Sequence, residues 1–186
     1  MQGELNGKRI AILVANGFEQ VELTGPQHAL ADAGAEVLIV SPEQPTVKGW
    51  LSTNWGDEFH VDVPLDQATA DDFDGLVLPG GVMNPDKLRH DERALDFVRS
   101  IFDAGKTIGA ICHGPWTLID AGIATGKTLT SYQSIRTDLT NAGAHWLDRE
   151  VVVDQGLITS RTPADIPAFN CALIAQFAHA GSARTA

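Results

Sequence analysis

An α/β fold is what this sequence predicts, with a mostly parallel sheet covered by helices on both faces. Short runs rich in Ile, Val and Leu alternate along the chain with segments whose apolar residues follow helical spacing. This alternation is typical of βαβ units joined by right-handed crossovers. The 186 residues suffice for one compact domain and contain neither a linker nor an internal repeat. We therefore expect a single domain over residues 1–186, with loose termini at residues 1–7 and 181–186.

The first part of the chain predicts two strands joined by a helix, followed by an arm. Residues 9–14 ("RIAILV") and 36–41 ("EVLIVS") have the composition of buried strands. The apolar spacing between them favours an amphipathic helix that ends at Gly34. Residues 42–66 alternate only weakly between apolar and polar and carry two glycines, so we expect a hairpin or an irregular arm there.

The rest of the chain continues the alternation of strand and helix. Its segments follow in this order: a strand running into a Pro-Gly-Gly turn (residues 73–81), a helix (91–105), a strand (106–111), a hairpin around Gln155-Gly156 (149–161) and a closing helix (163–180). In open sheets of this kind, ligands bind at the carboxyl ends of the strands. The loops that follow the strands are therefore where functional residues are expected.

Composition and charge exclude several classes of function. The formal net charge is -11 and the 13 Lys and Arg residues are scattered, so we expect no nucleic-acid partner. No apolar run reaches the roughly 20 residues that span a bilayer, and no export signal is evident, so we expect a cytoplasmic protein without a membrane partner. The two cysteines cannot form a disulfide framework, and their spacing from the histidines fits no zinc site. Without a phosphate-cradling Gly-rich helix start, we expect no cofactor and no metal.

The segment "AICHGPW", residues 110–116, contains a candidate nucleophile, Cys112. It follows a predicted strand, and Gly114 and Pro115 suit a sharp turn into a helix, as in a nucleophile elbow. The helix N-terminus would favour the thiolate, so we expect the pKa of Cys112 to be lowered. The alternative is a buried thiol that packs as a small hydrophobic residue, and the local pattern leaves both interpretations open. Cys171, within an apolar helical pattern, is predicted to lie in the core.

Distant segments offer partners for such a cysteine. Glu19 lies where the first strand gives way to the first helix, at the edge of the sheet that also carries the cysteine. Glu22, one turn further on, is interpreted as an ordinary first-turn acid favoured by the helix dipole. Gly80 and Gly81 form either a plain turn or a pair of backbone donors for an oxyanion. His113 is a candidate general base, although neighbours in sequence often point in different directions.

Together, "AICHGPW", "LVLPGG", "ANGFEQVEL" and "TSYQSIRTDLTNAGAHWLDREVVVDQGLITSRTPADI" resemble the PfpI family of intracellular cysteine hydrolases, within the ThiJ/PfpI superfamily. The resemblance covers residues 8 to 177. It implies a flavodoxin-like fold with Cys112 as the nucleophile on its elbow. Glu19 matches the acid that, largely protonated, hydrogen-bonds the sulfur and helps to hold it as thiolate. His113 matches the histidine of a Cys-His-acid triad.

The same resemblance implies a site shared between subunits. In the PfpI branch the adjacent subunit supplies the acid of the triad, and the matching position here is Asp86, where a glutamate is expected. The backbone N–H groups of Gly81 and His113 match an oxyanion hole, and Gly80 and Tyr132 match pocket residues. A homo-oligomer, either a dimer or a hexamer, is therefore implied.

The resemblance implies an enzyme of stress protection that hydrolyses peptides or glycation adducts, or acts on small carbonyl compounds. One alternative is a glutathione-independent glyoxalase, in which the hemithioacetal of methylglyoxal rearranges while Glu19 moves the proton. A second alternative is a redox sensor or chaperone-like stress protein that uses an oxidisable Cys112. A hydrolase needs a proton shuttle beside the sulfur and a sensor does not, so His113 discriminates between these functions.

Overall fold

Residues 3–179 are described by the computed structural model of the chain. The strands are β1 (Arg9–Leu13), β2 (Phe18–Glu19), β3 (Glu36–Ser41), β4 (Thr46–Leu51), β5 (Asn54–His60), β6 (Val63–Pro64), β7 (Gly75–Leu78), β8 (Thr107–Ile111), β9 (Thr128–Leu129), β10 (His145–Trp146), β11 (Val151–Asp154) and β12 (Leu157–Ser160). The α-helices are α1 (Gln20–Asp32), α2 (Met83–Leu88), α3 (Glu92–Asp103), α4 (Pro115–Asp120), α5 (Arg136–Asn141) and α6 (Ile166–His179).

Seven strands form one central sheet in the order β11-β12-β8-β7-β1-β3-β6. Every neighbouring pair is parallel except β11 and β12, which form the antiparallel hairpin predicted around Gln155 and Gly156. The α/β fold with a mostly parallel sheet is therefore confirmed. Because the parallel strands share one direction, the loops after β1, β7, β8 and β12 meet at the same edge of the sheet.

Strand β1 shows why the sheet strands have unbroken apolar runs. Its side chains alternate between the two faces, and each face is covered. Ile10 and Ile12 belong to one buried cluster and Ala11 and Leu13 to the other. Full burial of an aliphatic side chain of this size contributes about 1.5–3 kcal/mol, so both faces stabilise the strand.

Helix α6 covers one face at close range. Its buried residues Phe169, Leu173 and Phe177 pack in the same cluster as Ile12. A Cβ atom placed on Gly109 of β8 would lie 2.4 Å from Leu173, so only glycine allows this approach of helix to sheet. Cys171 lies on the outer side of α6 and is exposed. The prediction of a core position for Cys171 is wrong because α6 buries only one of its faces.

The predicted arm is a hairpin formed by the antiparallel strands β4 and β5. Side chains from the loop after β1 and from α1 fasten it. Asn16 accepts a hydrogen bond from the backbone N–H of Lys48 at 2.7 Å. Gln20 accepts one from the backbone N–H of Asp57 at 2.8 Å and donates one to its carboxylate at 2.7 Å. The hairpin is therefore held beside the carboxyl edge of the sheet.

The first residues described are packed against the domain. Leu5 is fully buried, and its backbone N–H donates to the carbonyl of Ala33 at 2.9 Å. The prediction of a loose N-terminus is therefore wrong for residues 3–7, because an apolar side chain in the segment joins the core. The predicted loose segment 181–186 lies outside the described residues. Along the described chain, no helix combines the length and the apolar character needed to cross a membrane.

Candidate active site

Cys112 follows directly after β8, at the centre of the carboxyl edge. Its backbone is in the left-handed region with φ of 62°, and its N–H donates to the carbonyl of Ser160 at 3.0 Å. Gly114 completes the turn, because a Cβ atom there would lie 2.4 Å from the carbonyl oxygen of Leu78. Pro115 then begins α4. This strand, strained turn and helix form the predicted elbow, which directs the thiol towards the loops of neighbouring strands.

His113 turns its ring back to the thiol of Cys112. Its Nδ1 lies 3.2 Å from Sγ, and its Nε2 lies 2.9 Å from the hydroxyl of Ser134. The ring stacks on Tyr132 with 4.8 Å between centroids. Burial lowers the pKa of His113, so the imidazole is neutral at pH 7. With the proton on Nε2 donated to Ser134, Nδ1 is free to accept the proton of the thiol.

The carboxyl group against Cys112 is that of Glu22, and it is fully buried. Its Oε2 accepts a hydrogen bond from the backbone N–H of Gly80 at 2.9 Å. Burial raises the pKa of Glu22 to about 8, although the Gly80 N–H and the Cys112 thiol both act in the opposite direction. Glu22 is therefore protonated at neutral pH, and it can exchange a proton with groups bound beside the sulfur.

The prediction that placed Glu19 against the sulfur is wrong, as is the interpretation of Glu22 as an ordinary first-turn acid. Helix α1 begins at Gln20, so Glu22 lies on its inner face, whereas Glu19 precedes the helix and lines the cavity while remaining partly exposed. Glu22, Pro26 and Leu30 are all buried and follow one another at intervals of four residues. This spacing in the sequence was the signal that Glu22 faces inward.

The pKa of the Cys112 thiol is raised, contrary to the sequence-based prediction. Burial is the main cause, and the negative charge of ionised Glu22 adds to it. The backbone N–H groups of Gly81 and His113 act in the opposite direction by donating to the sulfur. The prediction failed because it considered only the dipole of α4, a helix of six residues, and not the loss of hydration around the thiol.

The backbone N–H groups of Gly81 and His113, the two predicted oxyanion donors, both act to lower the pKa of the Cys112 thiol, which places them beside the sulfur. An oxygen that develops beside Sγ during attack would therefore meet both groups. Gly81 has a φ of 75°, and a Cβ atom there would lie 2.7 Å from the backbone of Glu19 and of Gly17. Glycine is thus required for the loop after β7 to approach the loop after β1.

Asn84 holds these two loops together, a role that no motif in the sequence indicated. Its side chain is fully buried on α2. Its Oδ1 accepts from the backbone N–H of Ala15 at 2.7 Å, and its Nδ2 donates to the carbonyls of Pro79 and Gly80 at 2.8 and 3.1 Å. The Gly80-Gly81 turn is therefore fixed relative to β1.

A cavity of about 440 Å³ opens over the thiol. Besides Cys112, its lining includes Glu19, Glu22, His113, Tyr132 and, from the arm, Trp50 and Ser52. Tyr132 lines the cavity as predicted and remains 41% exposed. Gly80, predicted as a pocket residue, is not among the lining residues because it packs directly against Cys112, where a Cβ atom on Gly80 would lie 2.7 Å from that of Cys112. The arm residues are part of the site that the sequence did not indicate.

Asp86 is exposed on α2 and does not line the cavity of its own chain. Within the chain, the partner of the second ring nitrogen of His113 is instead the hydroxyl of Ser134. No three His, Cys, Asp or Glu side chains among residues 3–179 are grouped so that they could hold a metal ion.

Comparisons with known proteins agree with this architecture. The sequence model of the DJ-1/PfpI family matches residues 8–176. The chain belongs to the DJ-1/PfpI family. The flavodoxin-like fold implied by the sequence resemblance is confirmed, since the chain superimposes on Drosophila melanogaster DJ-1beta with a TM-score of 0.84. That similarity has 32% sequence identity and covers 92% of this chain and 90% of the other.

Curated relatives of this DJ-1/PfpI protein match it over nearly their full length. The deglycase PfpI of Pyrococcus furiosus is 45% identical over 161 residues, which cover 87% of this chain and 94% of that protein. General stress protein 18 of Bacillus subtilis is 46% identical over 166 residues, with 88% and 94% covered. Protein/nucleic acid deglycase 2 of Escherichia coli is 44% identical over 165 residues, also with 88% and 94% covered.

Proposed function

We propose that the chain is a cysteine-dependent hydrolase of the PfpI type that acts as a deglycase, releasing amines from early adducts of reactive carbonyl compounds in stress protection. The observation that carries the proposal is the Cys112 Sγ to His113 Nδ1 distance of 3.2 Å. Relatives named as deglycases in Pyrococcus furiosus and Escherichia coli support the choice of substrate.

In the first step the thiol replaces the amine. Neutral His113 takes the proton from Sγ, which matters because burial raises the pKa of the thiol and disfavours free thiolate. The sulfur then bonds to the carbon that carries the amine in the adduct, and the carbon–nitrogen bond breaks. His113 returns its proton to the departing nitrogen, so a free amine and a hemithioacetal on Cys112 result.

The hemithioacetal then rearranges and is hydrolysed. For a methylglyoxal adduct, a proton moves from the sulfur-bearing carbon to the neighbouring carbon, and the hydroxyl proton moves to the neighbouring oxygen. Glu22 is placed to carry the carbon-bound proton when it is ionised, and its pKa of about 8 leaves a fraction of the carboxyl ionised near neutrality. The product is a thioester, and water cleaves it to lactate and the free thiol. Developing negative charge on the substrate oxygen is met by the N–H groups of Gly81 and His113. Adduct plus water thus gives amine plus lactate, with no external oxidant.

Two alternatives differ from this proposal in what the site requires. A redox sensor needs no base, so the contact of His113 with Cys112 favours an enzyme. A glyoxalase would share the hemithioacetal and every later step but would start from free methylglyoxal. The difference between glyoxalase and deglycase therefore lies only in whether the amine is still attached when the sulfur attacks.

We further propose that the protein works as a homo-oligomer in the cytoplasm. The exposed position of Asp86 supports a role towards a neighbouring subunit, where its carboxylate would approach His113. A compartment that keeps thiols reduced suits a cysteine nucleophile. Mixing Cys112→Ser subunits with Asp86→Ala subunits tests the shared site, because hybrids regain activity only if the two residues act across an interface. Hybrids with no more activity than the separate variants would overturn it.

The deglycase proposal is tested by following adducts of methylglyoxal with N-acetylarginine and N-acetyl-lysine by NMR, with purified wild type, Cys112→Ser and the matched control Cys171→Ser. We expect Cys112→Ser to lose at least about 100-fold in kcat/KM, whereas Cys171→Ser retains full activity. Adduct must also disappear faster than it spontaneously releases methylglyoxal. If saturating enzyme never exceeds that spontaneous rate, the protein consumes free methylglyoxal and is a glyoxalase. Turnover that survives in Cys112→Ser would refute the nucleophile.

A further inference from the structure

The charged groups around the cavity are of one sign. Among its lining residues, the acidic side chains are Glu19 and Glu22, and none is a lysine or arginine. Glu22 is neutral at pH 7 because burial raises its pKa to about 8. His113 is neutral as well, since burial lowers its pKa. Among the lining residues, Glu19 is therefore the group that can present a negative charge to a ligand in the cavity.

Glu19 is placed in a way that leaves its charge available. It precedes α1, but its side chain does not cap that helix. The backbone of Ser52 in the arm acts to lower the pKa of the Glu19 carboxyl. Within residues 3–179 it has no ion-pair partner. Burial raises its pKa from the ordinary value, as expected for a half-buried carboxylate that no cation compensates.

Aromatic side chains complete this part of the wall. Trp50 of the arm and Tyr132 line the same cavity as Glu19. Aromatic faces attract ammonium and guanidinium groups, and a carboxylate beside them adds to the attraction. Low-dielectric walls of one sign also concentrate ligands of the opposite charge. The combination suits a cation and repels an anion.

We propose that Glu19 makes this site select its substrates by charge, favouring adducts in which a protonated amine or a guanidinium lies next to the reacting carbon. Adducts of lysine and arginine side chains belong to this class, whereas carboxylate-bearing aldehydes such as glyoxylate are disfavoured. The inference rests on the proposed function for its substrate class. Glu19 lines the cavity and is a specificity determinant, distinct from Glu22 at the sulfur.

The test measures charge selectivity at Cys112 without requiring turnover. In a Cys171→Ser background, Cys112 is labelled with two methanethiosulfonate reagents of similar size, one with a trimethylammonium group and one with a sulfonate. Each rate is divided by that of a small thiol with the same reagent. Variants are Glu19→Gln, Glu19→Asp and, as a control that removes the same charge elsewhere, Glu92→Gln on α3, whose side chain is 80% exposed.

We expect wild type to prefer the cationic reagent and Glu19→Gln to reduce that preference about tenfold, since one nearby charge acts in opposite directions on the two reagents. Glu19→Asp and Glu92→Gln should each stay within about twofold of wild type, and added salt should weaken the preference. An unchanged preference in Glu19→Gln, or an equal loss in Glu92→Gln, would overturn the inference.

Turnover separates this inference from the proposed function. With Glu19→Gln, kcat/KM for the arginine adduct should fall about tenfold relative to that for neutral methylglyoxal. If both fall together, Glu19 does not select by charge, even though the deglycase proposal stands. If turnover survives in Cys112→Ser while the labelling preference depends on Glu19, the deglycase proposal fails and the charge selectivity of the cavity remains.

Discussion

Replacing Glu22 by glutamine should change how the stability of the protein depends on pH. Folding raises the pKa of Glu22 from 4.5 to about 8, chiefly through burial. Between these values the folded state holds a proton that the unfolded state has released, so the free energy of unfolding falls as pH rises. The contribution of Glu22 is complete below pH 4.5 and lost above pH 8. Glutamine does not ionise, so the free energy of unfolding of Glu22→Gln does not fall with pH for this reason.

The size of the effect follows from the same two values. A rise from 4.5 to about 8 is a change of about 3000-fold in proton affinity, and each tenfold step corresponds to about 1.4 kcal/mol. The full effect is therefore about 5 kcal/mol. Because the carboxyl is fully buried, little of it is lost to solvent screening. Glutamine is nearly isosteric and can still accept from the Gly80 N–H, so packing changes little.

Urea unfolding followed by tryptophan fluorescence, under reducing conditions from about pH 5 to pH 8.5, gives the comparison. The stability of Glu22→Gln relative to wild type should rise across this range by about 3–5 kcal/mol. Glu92→Gln, altered at an exposed position, should show no such trend. A difference between Glu22→Gln and wild type that stays constant, or that shrinks as pH rises, would refute the protonated state of Glu22.

Three further substitutions test the geometry of the site. Ser134→Ala should lower kcat about tenfold because the Ser134 hydroxyl orients His113, while Ser134→Thr should retain most activity. If the pH–rate profiles of the two variants show the same loss of kcat, the hydroxyl does not have this role. Gly80→Ala should cost about 1–3 kcal/mol in urea unfolding and abolish activity, since its Cβ would lie 2.7 Å from that of Cys112; an active variant would exclude the close approach. Asn84→Ala should lower the free energy of unfolding by about 2–4 kcal/mol because it leaves buried backbone groups unpaired. A loss below about 0.5 kcal/mol would argue that Asn84 does not hold the loops after β1 and β7 together.

The central sheet could be predicted from sequence because each strand carries its own signal. In β1 every residue from Ile10 to Leu13 is apolar, and this run reflects burial on both faces. The elbow could also be predicted, since Gly114 and Pro115 lie just beyond the Cys112-His113 pair. Both features are determined by residues that are neighbours in the sequence, so they can be predicted without knowledge of tertiary contacts.

The partners of the thiol were harder to predict because they depend on the exact start of one helix and on contacts between distant loops. Glu19 and Glu22 are both acids near the start of α1, and a shift of three residues decides which one is buried. Ser134 lies 21 residues from His113, and nothing around it marks it as the partner of a ring nitrogen. The raised pKa of Cys112 follows from burial, which a helix dipole argument does not include.

The two cysteines differ in how accessible they are to reagents and to the cysteines of other copies of the chain in a concentrated preparation. Cys112 is 7% exposed beneath the cavity, whereas Cys171 is exposed on the outer side of α6. Disulfide cross-links between copies, and adducts with bulky oxidants, will therefore form first at Cys171. A falling thiol count in an ageing sample thus measures oxidation at the outer surface of α6, and only peptide-level detection of Cys112 reports the state of the thiol in the cavity.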